Sequence, residues 1–303
     1  LSSSDVEDRL ADVGGSFAAK IHPDYTLFTF RFLSEYMDPA LDLLGRLILE
    51  PNRTENELND VKLSQTLAFV ENDRDPESVA PRHLLRVLFE DHPYKSSSYS
   101  RDTIRNWTVR EMNAFADVWY RPNNAHLVLG GDVSLNLAVK KISRLVGGLW
   151  PARDLPPSPL RAVRPPERER ICLIDVPKAR DAMIAMGTSF SPPEIADRMA
   201  LSVLGQVLGG TPASRLFMNL RESKNYAYFA ACETQFLRAA GLLTVRAKVK
   251  PDSVVASIRE IQRELLASAA GPLPSEDIEQ AKAFLINHFP LEIESFDLLR
   301  DVY

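Results

Sequence analysis

One order of elements is written twice into this chain, and that duplication limits the fold more than any other feature. The first copy reads as helix 4–13, a hairpin of strands 16–21 and 25–33 turning at His22-Pro23-Asp24, then helices 39–49 and 55–70. The second reads as helix 213–223, strands 226–236 and 241–249, then helices 251–269 and 275–288. In both, two strands separate one helix from a pair. The spacing of apolar residues supports each step. Val6, Leu10 and Val13 share a helical face, Ser4 with Glu7 fits a capping box, and Gly14-Gly15 stops the helix. Leu41, Leu44, Leu47 and Ile48 form the next stripe, and Thr54 with Glu57 signals the start of the following helix. Pro251 and Ser275 are sound helix openings in the second copy. A duplicated unit of this kind predicts an α+β fold. Its two homologous halves would each be a largely antiparallel sheet with helices on one face.

Between the copies, Asp75-Pro76 opens a helix that runs through Phe89, and residues 91–100 read as a polar loop. Helices are predicted over Thr108–Trp119 and Leu135–Val146, with a short apolar strand over Ala125–Gly131. Residues 151–169 carry six prolines and no apolar period, which predicts an extended, semi-rigid linker. Strands Ile171–Val176 and Asp181–Ser189 and helix Glu194–Leu208 follow. The expected organisation is an N-terminal repeat (1–150), a linker (151–169) and a C-terminal repeat (170–303).

The stretch 213–236 holds the candidate site. Ala213, Leu216, Phe217 and Leu220 make one helical face. Gly209-Gly210-Thr211-Pro212 leads into it, with Thr211 as cap and Pro212 in the first turn. Ser223-Lys224-Asn225 ends it. The period then becomes two, with Tyr226, Tyr228, Ala230 and Cys232 on one side and Ala227, Phe229 and Ala231 on the other. Arg221 thus leaves a helix end and Tyr228 a strand start, and both side chains can donate to one peptide carbonyl.

Ser214-Arg215-Leu216-Phe217 and Arg221-Glu222-Ser223-Lys224-Asn225-Tyr226-Ala227-Tyr228 resemble the second-half motif of the insulinase/pitrilysin-type zinc metallopeptidases, which include mitochondrial processing peptidase. Asn225 stands for the usual Gly and Tyr226 for the usual Leu; Asn tolerates a left-handed backbone, so the turn is kept. The regions around Asp24-Tyr25-Thr26 and Asn123–Val133 also look like the family's first half. The resemblance implies two homologous halves joined by a linker, the first without its opening strands. It further implies that Arg221 and Tyr228 hold the substrate backbone. Gly209 and Gly210 would be either a flexible substrate loop or a plain turn.

A zinc peptidase of this type needs His-x-x-Glu-His on a helix and a later Glu. The five histidines, His22, His83, His92, His126 and His288, include no such pair. In the family that motif lies upstream of the segment beginning at Leu1. The third-ligand acids fall on Leu67 and Ala68, which cannot bind zinc. Glu71 lies one turn later, at the wrong spacing. His83, Glu90 and His92 carry little weight as another site. No metal is therefore expected on this chain, and the resemblance implies zinc on a partner.

The net charge of -5 argues against a nucleic-acid partner and favours cationic peptides, and no apolar run approaches membrane-spanning length. The resemblance implies a non-catalytic, substrate-binding subunit of a heterodimeric zinc metalloendopeptidase, inactive on its own. Its partner would be a catalytic zinc peptidase subunit or a second copy, its ligand an extended peptide, and its location the bacterial periplasm or the cytoplasm. An active peptidase with its zinc motif upstream of Leu1, or a structural core subunit of a larger assembly, stays open. The start at Leu1, without Met, suggests a processed or partial chain. Cys172 and Cys232 read as buried strand thiols. Trp107, Trp119 and Trp150 read as core or interface anchors, and Arg215 as a surface or intra-helix salt-bridge residue.

Overall fold

The computed structural model describes residues 3–49, 53–97, 100–146, 150–157, 160–161 and 163–293. Its elements run, in chain order, α1 (Ser3–Asp12), β1 (Ser16–Ile21), β2 (Thr26–Arg31), α2 (Met37–Leu49), α3 (Glu55–Asn72) and α4 (Pro76–Phe89). Then come α5 (Arg101–Asn106), α6 (Val109–Trp119), α7 (Leu135–Val146), β3 (Ala182–Phe190) and α8 (Ile195–Gly209). The chain closes its described part with α9 (Arg215–Phe217), a π-helix (Met218–Ser223), β4 (Ala227–Phe236), β5 (Gly241–Val249), α10 (Val254–Ala270) and α11 (Ser275–Ile293). Both copies of the repeated order are present. Among the described residues two compact units form, one drawn from 1–65, 101–158 and 291–293, the other from 66–100 and 159–290.

In the first unit, Gly14 takes a positive φ of 57° just past α1, and the Gly15 N–H closes back on the Leu10 carbonyl at 2.7 Å. A side chain at Gly15 would meet the Arg31 carbonyl at 2.8 Å, so this double glycine also lets β1 lie against β2. The hairpin pairs Ser16 with Arg31 through Ile21 with Thr26, and Phe17 stacks on Phe28 at 5.9 Å. The side chain of Ser4, half of the expected capping box, lies outside the described residues. The Thr54 hydroxyl does accept from the Glu57 N–H at 3.3 Å and caps α3.

The second unit is an antiparallel sheet in the order β3-β5-β4. One face of the sheet packs Val245, Ala247 and Val249 against Leu208 of α8, Leu216 of α9, Leu220 of the π-helix and Ile261 of α10. Helix α4, from the first half of the sequence, serves the other face. Its Asp75 cap accepts from the Glu77 and Ser78 N–H groups, its Leu88 and Phe89 pack with Leu242, and Glu77 pairs with Lys248 of β5 at 2.7 Å. Layers on both faces follow from strand alternation, since Leu242 and Lys248 point opposite to Val245 and Val249.

Several expectations are corrected. Ala125–Gly131 and Ile171–Val176 form no strand: Leu127 and Val128 are more than half exposed, Ile171 is 85% and Leu173 96% exposed. A strand needs a neighbour to take its N–H and C=O groups, and among the described residues neither segment has one. The 91–100 loop, of which 98 and 99 lie outside the described residues, is a 3-10 turn (Pro93–Ser97) with His92 and Tyr94 buried, and it runs into α5. The linker has no helix or strand in its described part, but residues 158, 159 and 162 lie outside that part. It is not a free spacer: Val163 is buried with Leu88, Phe89 and Tyr94, and its N–H reaches the Ala239 carbonyl at 3.4 Å. Cys172 is exposed rather than buried. Trp150 does act as an anchor, donating to the Tyr120 carbonyl at 2.8 Å.

Candidate functional site

The helix that carries Arg221 starts later than expected. Ser214, not Thr211, holds the cap position, with extended backbone and no side-chain cap bond; Thr211 contributes only its carbonyl to a turn, accepting from Ser214 N at 3.0 Å. After one α turn the helix widens into the π-helix, shown by the bond from Lys224 N to the Asn219 carbonyl, five residues back, at 3.1 Å. Leu216 and Leu220 are 0% exposed and seat this segment on the sheet.

Asn225 follows with φ 54°, the left-handed turn that the sequence assigned to it. The Tyr226 N–H bonds back to Leu220 at 2.8 Å, and the Lys250 N–H bonds to the Tyr226 carbonyl at 3.0 Å. The turn between the two candidate residues is thus tied to both the helix before it and the strand beyond.

Tyr228 sits in a β-bulge. Ala227 pairs with Val249 and Phe229 with Lys248, so Tyr228 is the extra residue. This overturns the alternation read from the sequence. Ala227, Ala230 and Cys232 are each 4% exposed on the core side, while Tyr228 is 48% exposed. The bulge shifts the phase by one residue and turns the phenol outward. Arg221 is half exposed too; its guanidinium lies over the Phe217 ring at 4.8 Å and 3.7 Å from Glu222. The two side chains flank one rigid turn and both face solvent, with donors available to an acceptor.

Gly209 is the last residue of α8, not a loop residue. A Cβ there would lie 2.7 Å from the Ala231 carbonyl carbon, so its lack of a side chain lets α8 close on β4. Gly210 follows in ordinary right-handed conformation, φ -82°.

Sequence reasoning missed the polar side of this helix. Asn219 donates to Glu260 at 3.1 Å and to Glu264 at 2.8 Å, Lys224 pairs with Glu260 at 3.2 Å, and Arg215 donates to Glu264 at 3.0 Å. Arg215 also lies 3.7 Å from Asp277 of α11, so its partners are on other helices, not its own. Burial would raise the Glu260 pKa, but the Asn219 and Lys224 hydrogen bonds and Arg263 outweigh it and hold the carboxyl below its ordinary value. Glu260 and Glu264 stand four apart in sequence, which marks one helical face and nothing about what meets it. Nearby, burial and then Glu233 push the Cys232 thiol up to about 12, which makes it inert.

The residues at the expected third-ligand positions carry no group that could hold zinc. Leu67 and Ala68 of α3 have no donor atoms, and among the described residues no three His, Cys, Asp or Glu side chains group to hold a metal. His92 is committed elsewhere. Its Nδ1 accepts from the Tyr94 N–H at 3.2 Å, which leaves Nε2–H to donate to the Arg161 carbonyl at 3.0 Å. Glu90 pairs with Arg170. Burial, then Arg86 and Arg82, keep His83 below the usual imidazole value.

The fold is α+β, with two small antiparallel sheets and helices packed on them. The chain belongs to the M16 peptidase family: the Peptidase M16 inactive domain matches residues 106–285, and Insulinase (Peptidase family M16) matches residues 1–101. It is 26% identical over 274 residues to the non-peptidase homolog YmxG of Helicobacter pylori, covering 88% of this chain and 61% of that protein. The chain therefore spans about three fifths of that relative's length. A solved peptidase M16 inactive domain from Pseudomonas fluorescens superimposes with a TM-score of 0.87 at 19% identity, over 95% of this chain and 70% of that one. The periplasmic protease PqqL of Escherichia coli does so with a TM-score of 0.75 at 17% identity, over 99% of this chain and 33% of that one.

Proposed function

We propose that this chain is the non-catalytic, substrate-holding member of a two-chain zinc metallopeptidase, gripping an extended peptide through Arg221 and Tyr228 while its partner carries the zinc. The observation that carries this reading is the outward pair on a built turn. A bulge turns Tyr228 outward, and Arg221 stands half exposed on the π-helix, beside a core that is otherwise tightly closed. Two fixed donors can orient a peptide carbonyl and leave bond cleavage to a metal elsewhere. The chemistry of α3 supports the division of labour, since Leu67 and Ala68 stand where the family places a metal-binding acid. A match to the family's inactive domain supports it as well. The periplasm is the proposed location, supported by a structural neighbour from that compartment. Among the described residues no helix is long and apolar enough to cross a membrane.

The test is reconstitution with the catalytic chain. Arg221→Ala and Tyr228→Phe are each expected to lower turnover of the complex at least tenfold, the size expected for loss of a fixed donor, with the two chains still co-eluting. The isolated chain is expected to bind no stoichiometric zinc by elemental analysis. Unchanged turnover in both variants would count against substrate holding. One tightly bound zinc, with chelator-sensitive cleavage by this chain alone, would establish an active peptidase instead.

A further inference from the structure

The π-helix and its polar partners explain each other. Asn219 and Lys224 are five residues apart. At about 100° per residue an α-helix would place them roughly 140° apart, on different sides. A π register, whose bonds span five residues, brings them onto one face. Both reach the same carboxylate: Asn219 Nδ2 donates to Oε2 of Glu260 at 3.1 Å, and Lys224 Nζ lies 3.2 Å from its Oε1. One bidentate acceptor on α10 thus spans the wide turn, next to the backbone bond from Lys224 N to the Asn219 carbonyl. Asn219 is held further by Glu264, so its amide bridges two carboxylates that would otherwise repel. Arg221 lies inside the spanned turn. Closing that turn to an α register would rotate every residue after it and pull the Tyr226 N–H off the Leu220 carbonyl.

We infer that Glu260 is a positioning residue: by clamping Asn219 and Lys224 it holds Met218–Ser223 in the π register and so aims Arg221 outward. This rests on the reading of Arg221 as a substrate contact, and the experiment separates the two. Amide hydrogen exchange at Tyr226 reads the register, because its N–H reaches the Leu220 carbonyl only while the wide turn is kept. Binding of a short, unstructured, cationic peptide carrying fluorescein, followed by anisotropy, reads the consequence. Glu260→Ala is expected to speed exchange at Tyr226 and to weaken peptide binding about tenfold. In an Arg221→Ala background it is expected to have no further effect on binding, because a group that acts through Arg221 has nothing left to aim. If Glu260→Ala fails to fold, Glu260→Gln keeps the packing, drops the charge and takes its place. Unchanged exchange at Tyr226, or binding losses that add in full across the two variants, overturns the inference. If Arg221→Ala binds the peptide as well as the unsubstituted chain, or if the unsubstituted chain does not bind it, the substrate-holding reading falls, and exchange at Tyr226 still decides the register.

Discussion

Single residues in this chain answer to their immediate contacts. Asn225 was legible from sequence as a left-handed turn residue, because that preference belongs to the residue itself, and it has φ 54°. Tyr228 was legible as a candidate but not in its direction. Alternation placed it beside Ala230 and Cys232, and only the pairing with β5 reveals the extra residue that turns it out. Gly209 was open between loop and turn, and its role depends on a strand more than twenty residues away in sequence. Gly209→Ala is expected to destabilise the second unit by about 2 kcal/mol or more, because the new methyl meets strand backbone that cannot swing aside. A lowered urea midpoint at unchanged slope checks this, and a midpoint equal to the parent's would remove the packing argument.

At the scale of elements, the periodic helices were readable to within a few residues: α2, α3, α8 and α10 lie where apolar spacing and caps put them. The failures have one cause. Ala125–Gly131 and Ile171–Val176 have strand-like composition, but composition supplies no ladder partner. The π-helix was invisible for a related reason, since its register is held by carboxylates on α10. Those contacts set an acid sensitivity. The Glu260 pKa is lowered in the folded chain, so its contribution is present above the ordinary carboxylate value of about 4.3. It is lost as pH falls through the lower folded value. Glu260→Gln is expected to melt below the parent near neutral pH and to converge with it only once the pH has fallen through the lowered folded value. A gap that stays constant across that range, measured by thermal melts, would show that the charge is immaterial.

Across the whole molecule, the duplicated order of elements was correctly read, and with it the α+β class. The compact units divide the chain differently from the sequence boundary at the linker, because residues 66–100 join 159–290. Helix α4 brings Leu88 and Phe89 to Leu242 and Glu77 to Lys248, and the 3-10 turn after it brings Tyr94 to Ala239, whose N–H donates to the phenol at 3.0 Å. Residues 170–303 expressed alone therefore leave that sheet face uncovered. They are expected to aggregate or to lack a cooperative melt, whereas the full chain melts cooperatively. A monomeric fragment with a sharp transition would show that α4 is dispensable.

The amino-acid order by itself determined the periodic helices, the hairpin and the left-handed turn at Asn225, because periodicity, capping and backbone preference act over a few neighbouring residues, while the candidacy of Arg221 and Tyr228 came from the resemblance of their motif to a family. Tertiary structure alone decided which extended segments became strands, which sheet face α4 covers, how Glu260 engages the π-helix and which way Tyr228 points. Each of those depends on a partner far along the chain, and a hydrogen bond or buried contact exists only once the fold has brought both partners together.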